Sequence, residues 1–152
     1  LRAGPTLSGA VTEGELRSLT PFDNEIHSVS LDGEELLALF ESLVVPDLDR
    51  EVYGHVSGAT LTWHRTEETL ELTEVTVGGD PVAPAASYTV AAPTYEFVSD
   101  LYPPLSPDGR ETTHGHQAAA IVGYADRHGL DSGTGERMVL TADSVTGEFR
   151  SL

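Results

Sequence analysis

Apolar residues recur along this chain at two spacings, every second position and every third or fourth, and the switches between them mark its elements. Between Glu25 and Leu31, His27, Val29 and Leu31 alternate with Ile26, Ser28 and Ser30, the two-residue period of a strand. Leu36, Leu37, Phe40, Leu43 and Val44 then form a helical stripe that is expected to end before Pro46. Ala59, Leu61 and Trp63 alternate with Thr60, Thr62 and His64, which predicts a half-buried strand. Leu70 and Leu72 are out of phase by one residue with Val75 and Val77, so a bulge or break is expected near Thr73.

Turn and capping residues punctuate this pattern. Thr12-Glu13-Gly14-Glu15 and Asp32-Gly33-Glu34-Glu35 each place a capping side chain three residues before a glutamate, the signature of a capping box opening a helix. The first helix is expected to run through Leu16 and Leu19 and to stop at Pro21. Asp47 to Glu51 reads as a charged loop, and Gly78-Gly79-Asp80-Pro81 as a turn. Tyr88 to Ala92 reads as a short buried strand. Residues 99–113, with Pro103, Pro104, Pro107 and Gly109, read as an extended loop. A helix with a small-residue face follows from His116 to His128, and the tail from Met138 to Phe149 holds at least one strand. Strands mixed with helices and hairpin-like turns predict an α+β domain.

Composition narrows what such a domain does. With 152 residues the chain fits one domain, spanning 1–152, and is long enough to bury an ordinary core. Its 25 acidic and eight basic residues give a formal net charge of -17, and every basic residue is Arg. A surface of that sign repels nucleic-acid backbones and anionic lipid heads, which argues against both as partners. A salt-loving host fits the balance, because concentrated cations screen the self-repulsion of the acidic surface. The absence of Cys excludes disulfides and thiol chemistry. No apolar run approaches the ~18 residues of a membrane span. The chain opens at Leu1 without Met, and is expected to be cut from a longer polypeptide.

Few residues carry chemistry of their own. His114-Gly115-His116, with Asp108 or His128 nearby, has the spacing of two metal ligands on a strand, but such a pair is more often a solvated loop or helix start. His27, His55 and His64 fall in predicted strands as packing or surface residues. Ser57, in Val56-Ser57-Gly58, lacks the G-x-S-x-G setting of a nucleophile elbow. Nothing matches a two-metal phosphoesterase site, which gathers several His, Asp and Asn ligands around ions about 4 Å apart.

The motifs taken in order resemble those of a known family. Gly9-Ala10-Val11-Thr12-Glu13-Gly14-Glu15-Leu16, followed by Pro21-Phe22-Asp23-Asn24, is similar to the G-x-[IV]-T-x-x-[DE]-[LV] … P-F-x-N stretch of 5'-nucleotidase C-terminal domains. Leu1-Arg2 resembles the end of that family's N-G-G-G-I-R motif, and Leu31 to Leu36 its L-T-G-x-x-L helix start. His55-Val56-Ser57-Gly58, Val77 to Val82, Tyr88-Thr89-Val90-Ala91 and Val145 to Phe149 resemble further motifs in the same order.

The resemblance implies a layered α/β/β/α sandwich that binds substrate without catalysing. It implies a nucleotide or nucleoside as ligand, its base clamped between two aromatic rings. It also implies an N-terminal metallophosphoesterase domain of the same chain, which holds two divalent metal ions and is absent from these residues. An extracellular or cell-surface location is inherited from the family in the same way.

Carried over by motif, Phe22 and Tyr95 would be the two rings and Asn24 a further substrate-binding residue, while Arg2 would face phosphate or ribose. Tyr88 and Tyr102 are rivals for the second ring, and Phe22 is alternatively a core aromatic. The physics suits these types: a purine's flat face stacks on any parallel ring, and a guanidinium fork grips two phosphate oxygens. The family's G-G-D-G after its second aromatic is replaced here by Glu96 to Pro103 with no Gly, and Asp100 is the nearest acidic match to the ribose-binding Asp.

Two other function classes fit the same residues, a stand-alone binding or adhesion module and a structural domain packed on a partner enzyme. The acidic surface makes a prediction independent of that choice. The thermal unfolding midpoint is expected to be higher in molar KCl than in dilute buffer, and an unchanged midpoint would show that the charge is no adaptation to salt.

Overall fold

The computed structural model describes residues 7, 9–45, 51–52, 54–66, 69–130 and 138–142. In chain order these form α1 (Glu13–Ser18), β1 (Glu25–Asp32), α2 (Gly33–Glu41), β2 (Val44–Val45), β3 (Glu51–Val52), β4 (Ala59–Arg65) and β5 (Leu70–Val77). They continue with β6 (Asp80–Pro81), β7 (Ser87–Pro93), α3 (Thr94–Val98), β8 (Thr112–His116), α4 (Gln117–His128) and β9 (Met138–Ala142). The fold is α+β, as the sequence pattern predicts.

Both capping boxes form. Thr12 Oγ1 accepts from the Glu15 amide at 3.3 Å while Glu15 Oε2 accepts from the Thr12 amide at 2.7 Å. Those Thr12 contacts, the amide foremost, hold the Glu15 carboxyl below the usual range. Asp32 and Glu35 repeat the exchange, each bond 2.9 Å long. Gly33, the first residue of α2, donates its amide to the Pro84 carbonyl at 2.8 Å. A Cβ there would run into the Ala83 carbonyl, so this glycine is required by close backbone approach.

Two main sheets carry the fold. In one, β1 lies between β7 and β8 and runs antiparallel to both. The other has the order β6-β5-β4-β9, with β9 parallel to β4. The bulge falls where the phase of the apolar positions predicts it. Thr62 pairs with Glu74 and Trp63 with Leu72, which leaves Thr73 as the extra residue. Its hydroxyl donates to the Thr62 carbonyl at 3.1 Å. The bulge lets Leu70, Leu72, Val75 and Val77 all meet the same core.

Helix α2 serves two cores. Its Leu36 and Phe40 pack with Leu43, Leu61, Trp63 and Val75, and its Leu39 packs with Val29, Leu31, Phe97 and Leu105.

Four local expectations are corrected. The α2 stripe does not remain helical to Val44: the helix ends at Glu41, where the Ser42 hydroxyl turns back to donate to the Leu39 carbonyl at 2.6 Å. Val44 then joins a two-strand ribbon with β3, which takes in Glu51, expected in a loop. Residues 112–113, expected in the extended loop, belong to β8, and β7 is half-buried rather than buried.

Leu61 is fully enclosed in the first core. Leu61→Ala is therefore expected to lower unfolding stability by about 2–5 kcal/mol, measured as a shift in urea midpoint at unchanged slope.

Candidate functional site

The segment from Thr20 to Asn24 links α1 to β1 and is held in a tight turn. The Asp23 amide donates to the Thr20 carbonyl at 3.1 Å, and Asp23 itself sits at φ 41°, a conformation Asp tolerates better than most residues. The start of α4 fixes this turn from outside. The first amides of a helix have no partners within it, and the cap residue His116 makes no side-chain cap bond. The turn supplies the acceptors instead. Gln117 donates its amide to the Asn24 carbonyl at 2.8 Å, and Ala118 donates to Asp23 Oδ1 at 3.3 Å. His116 Nδ1 lies 3.1 Å from the Asp23 carbonyl and 3.5 Å from its Oδ2.

A second segment, at the β7–α3 junction, is fixed by buried His27. Thr94 Oγ1 donates to the Glu25 carbonyl at 3.0 Å, so it is left to accept from His27 Nε2 at 3.2 Å. His27 Nδ1 lies 3.1 Å from the Thr113 hydroxyl, and the ring packs T-shaped on Phe97 at a centroid distance of 5.9 Å. The next residue after Thr94 is Tyr95.

The two segments border one cavity of about 400 Å³, whose lining includes Thr20, Phe22, Asn24, Tyr95, Glu96 and Gln117. Phe22 is 70% exposed and Tyr95 54% exposed, so neither is a core aromatic. The structure thus brings Phe22, Asn24 and Tyr95 together across some seventy residues of sequence. Tyr88 instead packs against the first core and accepts from the Ala83 amide, and Tyr102 packs against both cores. Asp100 is exposed beyond the end of α3 and does not line the cavity. Arg2 and Val145 to Phe149 lie outside the described residues.

Glu96 and Gln117 were not among the residues the motifs single out. Gln117 carries no local signal, because a contact between segments distant in sequence places it there. Glu96 follows the second aromatic directly, where a carboxylate has no counterpart in the motif. Burial pushes its carboxyl up from the usual range, against the opposing pull of its own backbone amide. Its Oε2 is shut off from solvent with no hydrogen-bond partner. Burial first, and then the charges of Glu96 and Tyr95, push the Tyr102 phenol up as well. Among the described residues lining the cavity, none is basic.

The candidate metal pair is engaged elsewhere: His114 Nε2 lies 2.9 Å from Ser28 Oγ, and His116 faces Asp23. Among the described residues no group of three or more His, Asp or Glu gathers as a metal site, and no helix is long and apolar enough to cross a membrane.

The sequence matches the profile of the 5'-nucleotidase, C-terminal domain over residues 1–101. The chain belongs to this family. Among solved structures, the domain is similar to a 5'-nucleotidase precursor from Thermus thermophilus, at 20% identity and a TM-score of 0.73 over 86% of this chain and 28% of that one. It is also similar to the Thermus thermophilus sulfate thiohydrolase SoxB in complex with glycerol, at 19% identity and a TM-score of 0.59 over 93% of this chain and 26% of that one. A putative 5'-nucleotidase from Staphylococcus aureus in complex with α-ketoglutarate matches at 15% identity and a TM-score of 0.58, over 84% and 29% of the two chains. A search of curated proteins returns no match. The chain spans between 26% and 29% of the length of these three structures. The α+β fold of this 5'-nucleotidase C-terminal domain is the one its motifs imply.

Glu96 makes the domain's stability depend on pH. Because burial raises its folded value above the unfolded one, the folded state binds the proton more tightly. Its contribution is present below the unfolded carboxylate range and is lost as pH rises through the raised value. Glu96→Gln is therefore expected to raise the melting midpoint near neutral pH. That advantage should shrink toward zero at about pH 4, and thermal scans across this range check it.

Proposed function

We propose that this domain holds the nucleoside part of a nucleotide for a 5'-nucleotidase-type hydrolase, with Phe22 and Tyr95 as the walls that grip the base. The observation that carries the reading is the meeting of Phe22, Asn24 and Tyr95 at one cavity. Its volume of about 400 Å³ suits a small organic ligand. A lining of aromatic, apolar and polar side chains that includes the acidic Glu96, with no basic residue among those described, suits a neutral flat ring better than a phosphate. Each stacked ring contributes roughly 1–3 kcal/mol whichever base is bound. The fold alone does not dictate the ligand, since a sulfate thiohydrolase shares it, so the cavity chemistry bears the argument.

In this reading the hydrolytic chemistry lies in a metallophosphoesterase domain of the same polypeptide, N-terminal to these residues and holding two divalent ions. This chain's residues bind and orient the substrate. Arg2 would face the phosphate or ribose, and Asp100 would need a change in its loop to reach a ribose. Domain closure that carries the bound nucleoside toward the metals would then control turnover. An extracellular or cell-surface setting follows from the same family reading.

Titration calorimetry in molar KCl with adenosine, guanosine, cytidine and uridine tests the proposal. Phe22→Ala is expected to weaken every nucleoside that binds by about five- to 150-fold, the range one lost stacking wall implies. Affinity that survives Phe22→Ala would remove the clamp. If no nucleoside binds, the domain is a structural or adhesion module.

A further inference from the structure

Of the turn residues Thr20 to Asn24, only Asp23 is missing from the cavity lining. Its side chain engages α4 instead. Oδ1 accepts from the Ala118 amide at 3.3 Å, and Oδ2 lies 3.5 Å from His116 Nδ1. The first amides of a helix need acceptors from outside it, and His116, which flanks α4, makes no side-chain cap bond. Asp23 takes over that task from 95 residues away. Its backbone is as unusual as its contacts. Among the described residues Asp23 is the one non-glycine with a positive φ, at 41°. Asp and Asn tolerate that region better than other side chains because a short polar group can bond nearby.

Resting on the nucleoside reading above, we infer that Asp23 is a positioning residue of the clamp: its side chain, seated on the start of α4, holds the backbone conformation in which Phe22 and Asn24 reach one cavity. Phe22 and Asn24 are its two neighbours in the chain, so the torsions at Asp23 set the direction of the ring relative to the amide side chain. An extended Asp23 would turn the chain away and part them. The helix grips the turn at a second point, since the Gln117 amide donates to the Asn24 carbonyl at 2.8 Å. Asp23 touches no ligand in this arrangement and acts through population. A site that is competent only part of the time binds with its affinity reduced by that fraction. The bond to Ala118 favours the competent state, because leaving it costs the helix amide its acceptor.

The test is titration calorimetry of adenosine and guanosine in molar KCl into the unmodified chain, Asp23→Asn, Asp23→Ala, Phe22→Ala and the Asp23→Ala, Phe22→Ala double variant. Asp23→Ala is expected to weaken binding by about two- to 30-fold, the factor that a lost helix cap corresponds to. Asp23→Asn keeps an acceptor oxygen and the tolerance of positive φ, and is expected to bind within about twofold of the unmodified chain. A residue that served stability alone would lower the melting midpoint and leave the affinity of the folded domain unchanged. Once Phe22→Ala has removed the ring, Asp23→Ala is expected to cost a smaller factor, because less of the clamp remains to be positioned. Hydrogen exchange without nucleoside reads the seat directly: the Ala118 amide is expected to exchange faster in Asp23→Ala and to stay slow in Asp23→Asn. Three results would overturn the role of Asp23 and leave the clamp standing, provided that Phe22→Ala weakens binding. They are unchanged affinity in Asp23→Ala, a loss that Asp23→Asn shares, and an equal factor with and without the Phe22 ring. If no nucleoside binds, the clamp and the role of Asp23 in it fail together, whatever the exchange at Ala118.

Discussion

Strand β1 carries two buried polar side chains, His27 and Ser28, and the fold depends on satisfying them. A polar group taken from water without a partner costs a few kcal/mol, so the strand is stable at this depth only between neighbours that supply partners. The supply comes from both sides. Thr94, just beyond β7, and Thr113, in β8, bond the two nitrogens of His27, and His114 bonds Ser28. One strand thereby fixes where β7 ends and where β8 lies. Tyr95 follows the first of these anchors, and the helix that clamps the Phe22 turn follows β8 directly. The two aromatic segments reach one cavity because the same buried histidine links their supports.

The parts of this arrangement legible in the sequence are those decided within a few residues. A capping box is closed by an exchange across three positions, and a bulge announces itself as a change of phase in one strand. Gly33 belongs to the same legible motif, although its physical reason, the approach of the Ala83–Pro84 backbone, is long-range. The motif order also pairs Phe22 with Tyr95, and the two residues border one cavity.

What escaped was set by distant pairing. The β8 residues Thr112 to His116 have no apolar alternation and all are exposed. Nothing local marks them as a strand until β1 offers its free edge. The end of α2 escaped for a related reason, since Leu43 is apolar and buried whether or not it is helical. Its place in the core says nothing about which backbone carried it there. Glu96 is the sharper lesson. It sits where no motif expects a charge, and only the packing around α3 reveals that its carboxyl is sheltered and that one of its oxygens lacks a partner.

The distribution of charge ties these points to function. A domain with a formal net charge of -17 is a poor trap for a phosphate unless arginine is brought to it, and no described residue lining the cavity is basic. The uncharged end of a nucleotide meets no such penalty. Stacking depends on ring faces that carry no net charge for the acidic surface to repel. An acidic domain can therefore hold a nucleoside by its base while leaving the phosphate to a cationic site elsewhere. That separation is what the proposed function requires: the phosphate must remain free of the domain that recognises the rest of the molecule, so that binding energy gained at the base orients it without restraining it.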